Sequence, residues 1–335
     1  MSSRLLHALL YTAALAAPLP AQGRPADPGL DRLRAEIESF AAIARGTIGV
    51  GVIHLESGRE VFVNGSIAFP MASTYKVPIA VQMLRLVDQG RLRLDEMVTL
   101  KPSDLHPGSG TISNLLDDPG VSLSYRNLLE LMMLISDNSA TDLNLKAAGG
   151  GAAVNARLAE LGVRGISVDR PTIRLIADAI GVKDLPPEQE WTRQGFGAMA
   201  RAVSPADQAA AREAFYRDAR DTSTPEGMAR LLAKIWRKET LSPAMSDLLL
   251  DVMYRCETGQ ARIKGVLPPW TKVAHKTGTL NLGIANDVGI IDLPDGAGHL
   301  VVAAFVKEAQ GDVAAQERAI AMAARAAYDY FTFNR

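Results

Sequence analysis

Apolar positions from Pro28 to Arg45 follow the three-to-four spacing of an amphipathic helix. Beyond it the pattern shortens. Gly49-Val50-Gly51-Val52-Ile53-His54 and Glu60-Val61-Phe62-Val63-Asn64 read as two strands turning around Ser57-Gly58. Three further strands are expected over Thr271 to His275, Ala285 to Asp292 and His299 to Val306, before an alanine-rich helix from Val313 to Phe331. The sheet thus joins both chain ends. Between them, roughly 70 to 265, helical patterns dominate. They include the mostly apolar run Val77 to Val87, the run Leu128 to Ile135, and capped starts at Thr224-Pro225 and Ser242-Pro243. Gly149-Gly150-Gly151 follows no apolar strand and has no lysine placed for phosphate, so it reads as a helix-breaking connection.

Composition narrows the class. A chain of 335 residues with 47% hydrophobic content can bury one large core or two lobes sharing a cleft. A net charge of -1 gives no electrostatic case for nucleic acid or an anionic membrane surface. Arg4, the apolar stretch Leu5 to Ala17 and small residues near Ala21-Gln22 are expected to form a signal peptide over 1–22 and to send the protein out of the cytoplasm, to the periplasm or beyond. No second apolar stretch suggests a membrane span, and a soluble monomer is expected once the signal is removed. Cys256 is the only cysteine, so no intrachain disulfide forms, and it reads as the buried end of a helix. His7, His54, His106, His275 and His299 lack the close pairing of zinc hydrolases, so neither a metal nor another cofactor is expected.

Three short motifs carry the chemistry. Ser73-Thr74-Tyr75-Lys76 sits at the expected start of the apolar helix, Ser136-Asp137-Asn138 closes the second apolar run, and His275-Lys276-Thr277-Gly278-Thr279 follows an expected strand. A serine hydroxyl needs a base within hydrogen-bond reach, and Lys76, three residues along a helix, shares its face. The N–H groups and positive partial charge at a helix N-terminus also suit an oxyanion. Each motif alone has an ordinary structural reading: a capped helix start, an end-of-helix turn, a strand with a glycine bulge. Their order and combination point to acyl transfer by a serine enzyme.

On these motifs the chain resembles the active-site serine penicillin-recognising enzymes, and within them the class A serine β-lactamases. The resemblance extends to Ala72 to Pro78, Asp221-Thr222-Ser223-Thr224-Pro225, Gly259-Gln260-Ala261-Arg262-Ile263 and Asn286-Asp287. It implies an α+β fold: a five-stranded antiparallel sheet flanked by helices, plus a mainly helical lobe, with the active site in the cleft between them. After the signal, 23–335 would form one catalytic domain, with a sheet lobe at about 28–68 and 266–335 and a helical lobe at about 69–265. The resemblance further implies that Ser73 is the nucleophile, Lys76 its proton partner and Ser136 the relay to the lactam nitrogen. Asn138 would orient the substrate amide. Lys276, Thr277, Gly278 and Thr279 would line the wall that takes the substrate carboxylate, and the Ser73 and Thr279 N–H groups would form the oxyanion hole. The implied partner is a small β-lactam or a cell-wall peptide.

One position departs from that family. Class A enzymes place a water-activating glutamate two residues after an Asp-Arg pair and an asparagine four further on. Here Asp169-Arg170 is followed by Thr172 and Ile176 at those positions. The segment from Arg170 to Asp221 is also much longer than usual, giving an enlarged Ω-loop insert at about 171–220 that should hold structure of its own. Ser204-Pro205-Ala206-Asp207 predicts a helix over Pro205 to Ala219. Glu188, Glu190 and Glu213 are the acidic candidates for a substitute base; otherwise they are a solvated face, and Lys76 or Lys276 activates water. Three functions stay open: a β-lactamase hydrolysing the amide through a Ser73 acyl-enzyme, a cell-wall D-alanyl-D-alanine peptidase or esterase that β-lactams inhibit slowly, and a binding module that stays acylated.

Overall fold

A computed structural model describes residues 27–334. The expected signal peptide lies outside the described residues. Five strands form one antiparallel sheet: β1 (Thr47–His54), β2 (Glu60–Val63), β3 (Val273–Leu280), β4 (Ile284–Asp292) and β5 (His299–Lys307), in the spatial order β2-β1-β5-β4-β3. Every pairing is antiparallel, and Lys276 stands opposite Val288, Thr277 opposite Asp287 and Gly278 opposite Asn286.

Among the described residues there are eleven longer helices: α1 (Pro28–Ser39), α2 (Lys76–Asp88), α3 (Tyr125–Leu134), α4 (Asn138–Ala147), α5 (Gly150–Glu160), α6 (Thr172–Ile180), α7 (Arg193–Ala202), α8 (Pro205–Arg217), α9 (Pro225–Trp236), α10 (Pro243–Tyr254) and α11 (Val313–Phe333). Alternation along the strands gives each face its own core. Val50, Val52, Val302 and Ala304 pack with Leu33 and Ile37 of α1 and Ile320 and Phe331 of α11. Val301, Ala303 and Phe305 face the other way, toward α2, α3, α9 and α10.

Local chemistry sets most boundaries where the pattern put them. Ser204 caps α8 through the Asp207 N–H at 3.1 Å, and Thr224 and Ser242 cap α9 and α10. The differences are instructive. The N-terminal helix ends at Ser39, and a separate turn, Ala41–Ala44, follows before Arg45 adopts a left-handed conformation with φ 53°. The strand expected to stop at His275 runs on to Leu280, because Lys276 to Gly278 stay in register with β4. Helix α8 stops at Arg217, where Asp218 turns to accept the Arg220 N–H and guanidinium.

The insert holds three helices where one was expected. Leu175 and Ala179 of α6 and Phe215 of α8 pack with Ala72 and Ile284, while Ile173, Ala177, Val182 and Phe196 form a small core of their own. Its two ends meet: Arg170 Nε donates to Asp221 at 2.6 Å, and its Nη1 contacts Asp178 and Asp218 at 2.6 and 3.0 Å. The Asp169 N–H adds a 2.7 Å bond to Asp221.

Candidate active site

Ser73 does not lie within the α-helix expected of it. It sits in a 3₁₀ turn, Ala72–Tyr75, that runs directly into α2, and it is half-buried. Ten residues of α2 are buried, which anchors the turn in the core. Pro78 is tolerated because it falls in the first helical turn, where its missing N–H is not needed. The approach to Ser73 is braced from β4: Asn286 Nδ2 donates to both the Pro70 and Met71 carbonyls at 2.9 Å. Ala72, with φ 45°, is left-handed.

Strand β3 presses against this turn. A Cβ added to Gly278 would meet the Met71 carbonyl at 2.5 Å and the Ser73 and Thr74 nitrogens at 2.9 Å. Only glycine allows the strand so close, and the approach brings Lys276 to Thr279 alongside Ser73.

Ser136 joins the two sides. It links α3 to α4 in a left-handed conformation with φ 62°, which the surrounding bonds hold in place. Asp137 caps α4 through the Ala140 N–H at 2.9 Å and also accepts the Thr111 and Ile112 N–H groups at 2.7 and 2.8 Å. The Ser136 hydroxyl then stands between two lysines, receiving Lys76 Nζ at 3.1 Å and Lys276 Nζ at 3.0 Å. Lys76 also donates to the Ser136 carbonyl at 2.7 Å and Asn138 Oδ1 at 3.1 Å, and Lys276 to the Thr277 carbonyl at 2.9 Å. Asn138 Nδ2 in turn donates to Pro107 O at 2.9 Å.

Two fully buried ammonium groups sharing one hydroxyl would be costly. Burial, reinforced by the Lys276 charge, holds Lys76 well below the ordinary lysine range. Burial lowers Lys276 less, to about 8, with negative charge from Cys256 and Asp287 opposing the fall. The arrangement therefore favours loss of a proton from Lys76, while Lys276, at about 8, keeps its ammonium at neutral pH.

Thr277 and Thr279 extend the same wall. Thr279 is exposed, and its hydroxyl accepts Arg262 Nη2 at 2.6 Å. Arg262 also donates to the Gly278 and Asn286 carbonyls at 3.0 and 2.8 Å. Neither the bracing by Asn286 nor this bridge by Arg262 follows from sequence reasoning, although both residues lie in segments that carry the resemblance.

Thr172 begins α6 rather than an irregular loop. The carboxylate of Asp142 on α4 accepts the Thr172 and Ile173 N–H groups at 2.6 and 3.2 Å and pairs with His106 at 2.8 Å. Burial lowers the His106 pKa, and the Asp142 hydrogen bond and charge more than offset this, leaving it raised. The Thr172 hydroxyl is bonded to that of Tyr75, two residues after Ser73. The three acidic candidates lie elsewhere, at exposed positions. Glu188 pairs with Lys146 at 3.0 Å beside an outer cavity of about 330 Å³, and Glu213 faces Arg217 at 3.6 Å. Glu190 lies in a short turn, Glu188–Glu190. They form the solvated face, and the structure gives them no contact with Ser73, Lys76 or Ser136.

A model of the beta-lactamase enzyme family matches residues 32–331. The extended-spectrum beta-lactamase PER-1 of Pseudomonas aeruginosa is 30% identical over 304 residues, 89% of this chain and 87% of that protein. Among solved structures, the ancestral (GNCA) class A beta-lactamase is 30% identical, with a TM-score of 0.71 over 89% of this chain and 99% of that one. The structure of PBP-A in a leucine-to-glutamate variant, an acyl-enzyme complex with penicillin G, is 28% identical, with a TM-score of 0.70 over 90% of this chain and 97% of that one.

Proposed function

This chain belongs to the beta-lactamase enzyme family, in its class A branch, and on that footing we propose how its own residues open and release a β-lactam. It is a serine β-lactamase. In the proposed acylation Ser73 Oγ attacks the lactam carbonyl as Lys76, whose pKa burial lowers, takes the hydroxyl proton. That proton passes to Ser136 Oγ while Ser136 gives its own to the lactam nitrogen as the C–N bond breaks. Lys276, Thr277 and Thr279 hold the substrate carboxylate, Asn138 orients the substrate amide, and the Ser73 and Thr279 N–H groups receive the oxyanion.

One observation carries this reading: the Ser136 hydroxyl lies 3.1 Å from Lys76 and 3.0 Å from Lys276, so a proton taken up by Lys76 can pass to Ser136. The same path serves deacylation. Once its proton has left, Lys76 is again a free base, and it activates the water that cleaves the ester. No carboxylate stands at Thr172 to share that work, and the insert glutamates face solvent.

The Tyr75–Thr172 contact favours a second reading, a slowly deacylating penicillin-binding enzyme acting on cell-wall peptides. A mass-spectrometric time course with excess benzylpenicillin separates the two. Steady product with little adduct supports turnover through Lys76, whereas one equivalent of lasting adduct supports the second reading. Persistent labelling of Ser73→Ala at the same site would sink the nucleophile assignment.

Export through the segment 1–22 and a role in β-lactam resistance belong to the same proposal. They are supported by the Arg4 and Leu5 to Ala17 pattern, and N-terminal sequencing of the secreted protein tests the cleavage. Among the described residues no helix is long and apolar enough to cross a membrane.

A further inference from the structure

Behind the wall formed by Lys276 to Thr279 lies a group of side chains that the reaction above does not use. Cys256, the only cysteine of the chain, is 3% exposed just beyond α10. Its sulfur is 3.4 Å from Thr258 Oγ1, which is itself 2.6 Å from Thr277 Oγ1. On the other side His275 Nδ1 meets Asp287 Oδ1 at 2.9 Å, and both side chains are fully buried. His275 Nε2 has no regular hydrogen-bond partner among the described residues, and the group it interacts with is Cys256. Asp287 Oδ2 accepts the Ile263 N–H at 3.1 Å, tying the cluster to the turn that carries Arg262.

We propose that Cys256 is a positioning residue for substrate binding: its proton sets the direction of the Thr258–Thr277 hydrogen bond, and so whether Thr277 can donate to the substrate carboxylate. This rests on the assignment of Thr277 to the carboxylate wall.

A hydroxyl has one proton to give. As a thiol, Cys256 donates S–H to Thr258, Thr258 donates to Thr277, and the Thr277 proton is left for the carboxylate. As a thiolate, the sulfur accepts from Thr258 and from the His275 imidazolium. Thr277 must then donate back to Thr258 and presents only lone pairs to an anion. The S–H proton goes to solvent, the two hydroxyl hydrogen bonds reverse, and no other covalent bond changes.

The charges fit this switch. Burial lowers the His275 pKa, but the Asp287 carboxylate, with help from the Cys256 sulfur, more than offsets it and raises His275 to about 9, so the imidazolium persists at neutral pH. Burial pushes the Cys256 thiol up, while His275 and the Lys276 charge bring it down to about 7. The charged groups around the cluster are His275 and Lys276 on β3, Asp287 on β4, Arg262 in the turn beneath, and Glu257 and Arg255 beside Cys256, the last paired with Glu130 of α3 and Asp251 of α10.

The test is kcat/KM against pH, which reports the free enzyme, for benzylpenicillin and its methyl ester. In the wild type kcat/KM for the acid should fall by roughly tenfold as pH rises through about 7, the scale of one hydrogen bond to a charged group. In Cys256→Ala and Cys256→Ser it should stay level until Lys276 titrates, and the ester should show no such step in any variant. The serine variant preserves size and hydrogen bonding should the alanine variant fold poorly. An unchanged fall near pH 7 in both variants overturns the proposal. If Thr277→Val leaves kcat/KM for the acid unaltered, the carboxylate assignment itself fails, a separate and distinguishable outcome.

Discussion

The hydroxyl of Tyr75 is hydrogen-bonded to the hydroxyl of Thr172, so two buried neutral groups meet at the position where class A enzymes carry the water-activating glutamate. Burial and the nearby Asp142 carboxylate raise the Tyr75 pKa well above its usual value, which keeps the phenol neutral. Installing a general base there should speed deacylation. Thr172→Glu, combined with Tyr75→Phe to make room, is expected to raise the single-turnover deacylation rate by about 10²-fold, the lower range of general base catalysis. Quenched-flow decay of the penicillin adduct measures it, and an unchanged rate would show that position 172 does not face the ester.

The two lysines predict a bell in pH. Acylation needs Lys76 neutral, so kcat/KM should decline in acid as Lys76 takes up its proton below its lowered pKa. It also needs Lys276 charged, so kcat/KM for a carboxylate substrate should decline again as pH rises through about 8. Lys76→Met should reduce acylation by about 10²- to 10⁴-fold and abolish the acid limb. An acid limb that survives in this variant would assign that titration to another group.

Gly278→Ala tests the close packing of β3 on the serine turn. The added methyl would lie 2.5 Å from the Met71 carbonyl, so strand or turn must move. Overpacking of this kind costs about 1–3 kcal/mol. The midpoint of urea unfolding should fall accordingly, and acylation should fall with it because Ser73 is displaced. A variant of unaltered stability and rate would mean that the turn yields freely.

Arg170 is buried among Asp221, Asp178 and Asp218. Arg170→Ala strands at least one buried carboxylate, a loss of about 3–5 kcal/mol. Thermal unfolding should shift down, and amide exchange should rise first over residues 171–220. Exchange rising evenly over the whole chain would contradict a local clamp.

The main sheet, the buried helix after Ser73 and the three motifs were legible because each rests on local signals: alternation, apolar runs and capping residues next to the helices they cap. Helix α6 was not. Its N-cap position is Pro171, which offers no side-chain acceptor, and the cap comes from Asp142, thirty residues earlier in the chain. Helix α7 buries only Phe196, so its apolar stripe is thin, although Thr192 caps it locally. The continuation of β3 beyond His275 depends on pairing with β4, and Lys276-Thr277-Gly278, which alone reads as a strand with a glycine bulge, does not by itself say how far the strand runs. The fates of Glu188, Glu190 and Glu213 were likewise set by which side of the insert faces water.

Because Asp169, Arg170 and Asp221 meet at one point, the chain leaves the body of the enzyme and returns to it through the same gap. The loops between its helices can change length at little cost, since each doubling of a flexible loop adds only about 0.6 kcal/mol to closure. The insert is thus pinned at its two ends and seated on Ala72 and Ile284 through α6 and α8, so the freedom it has lies in the connections between its helices.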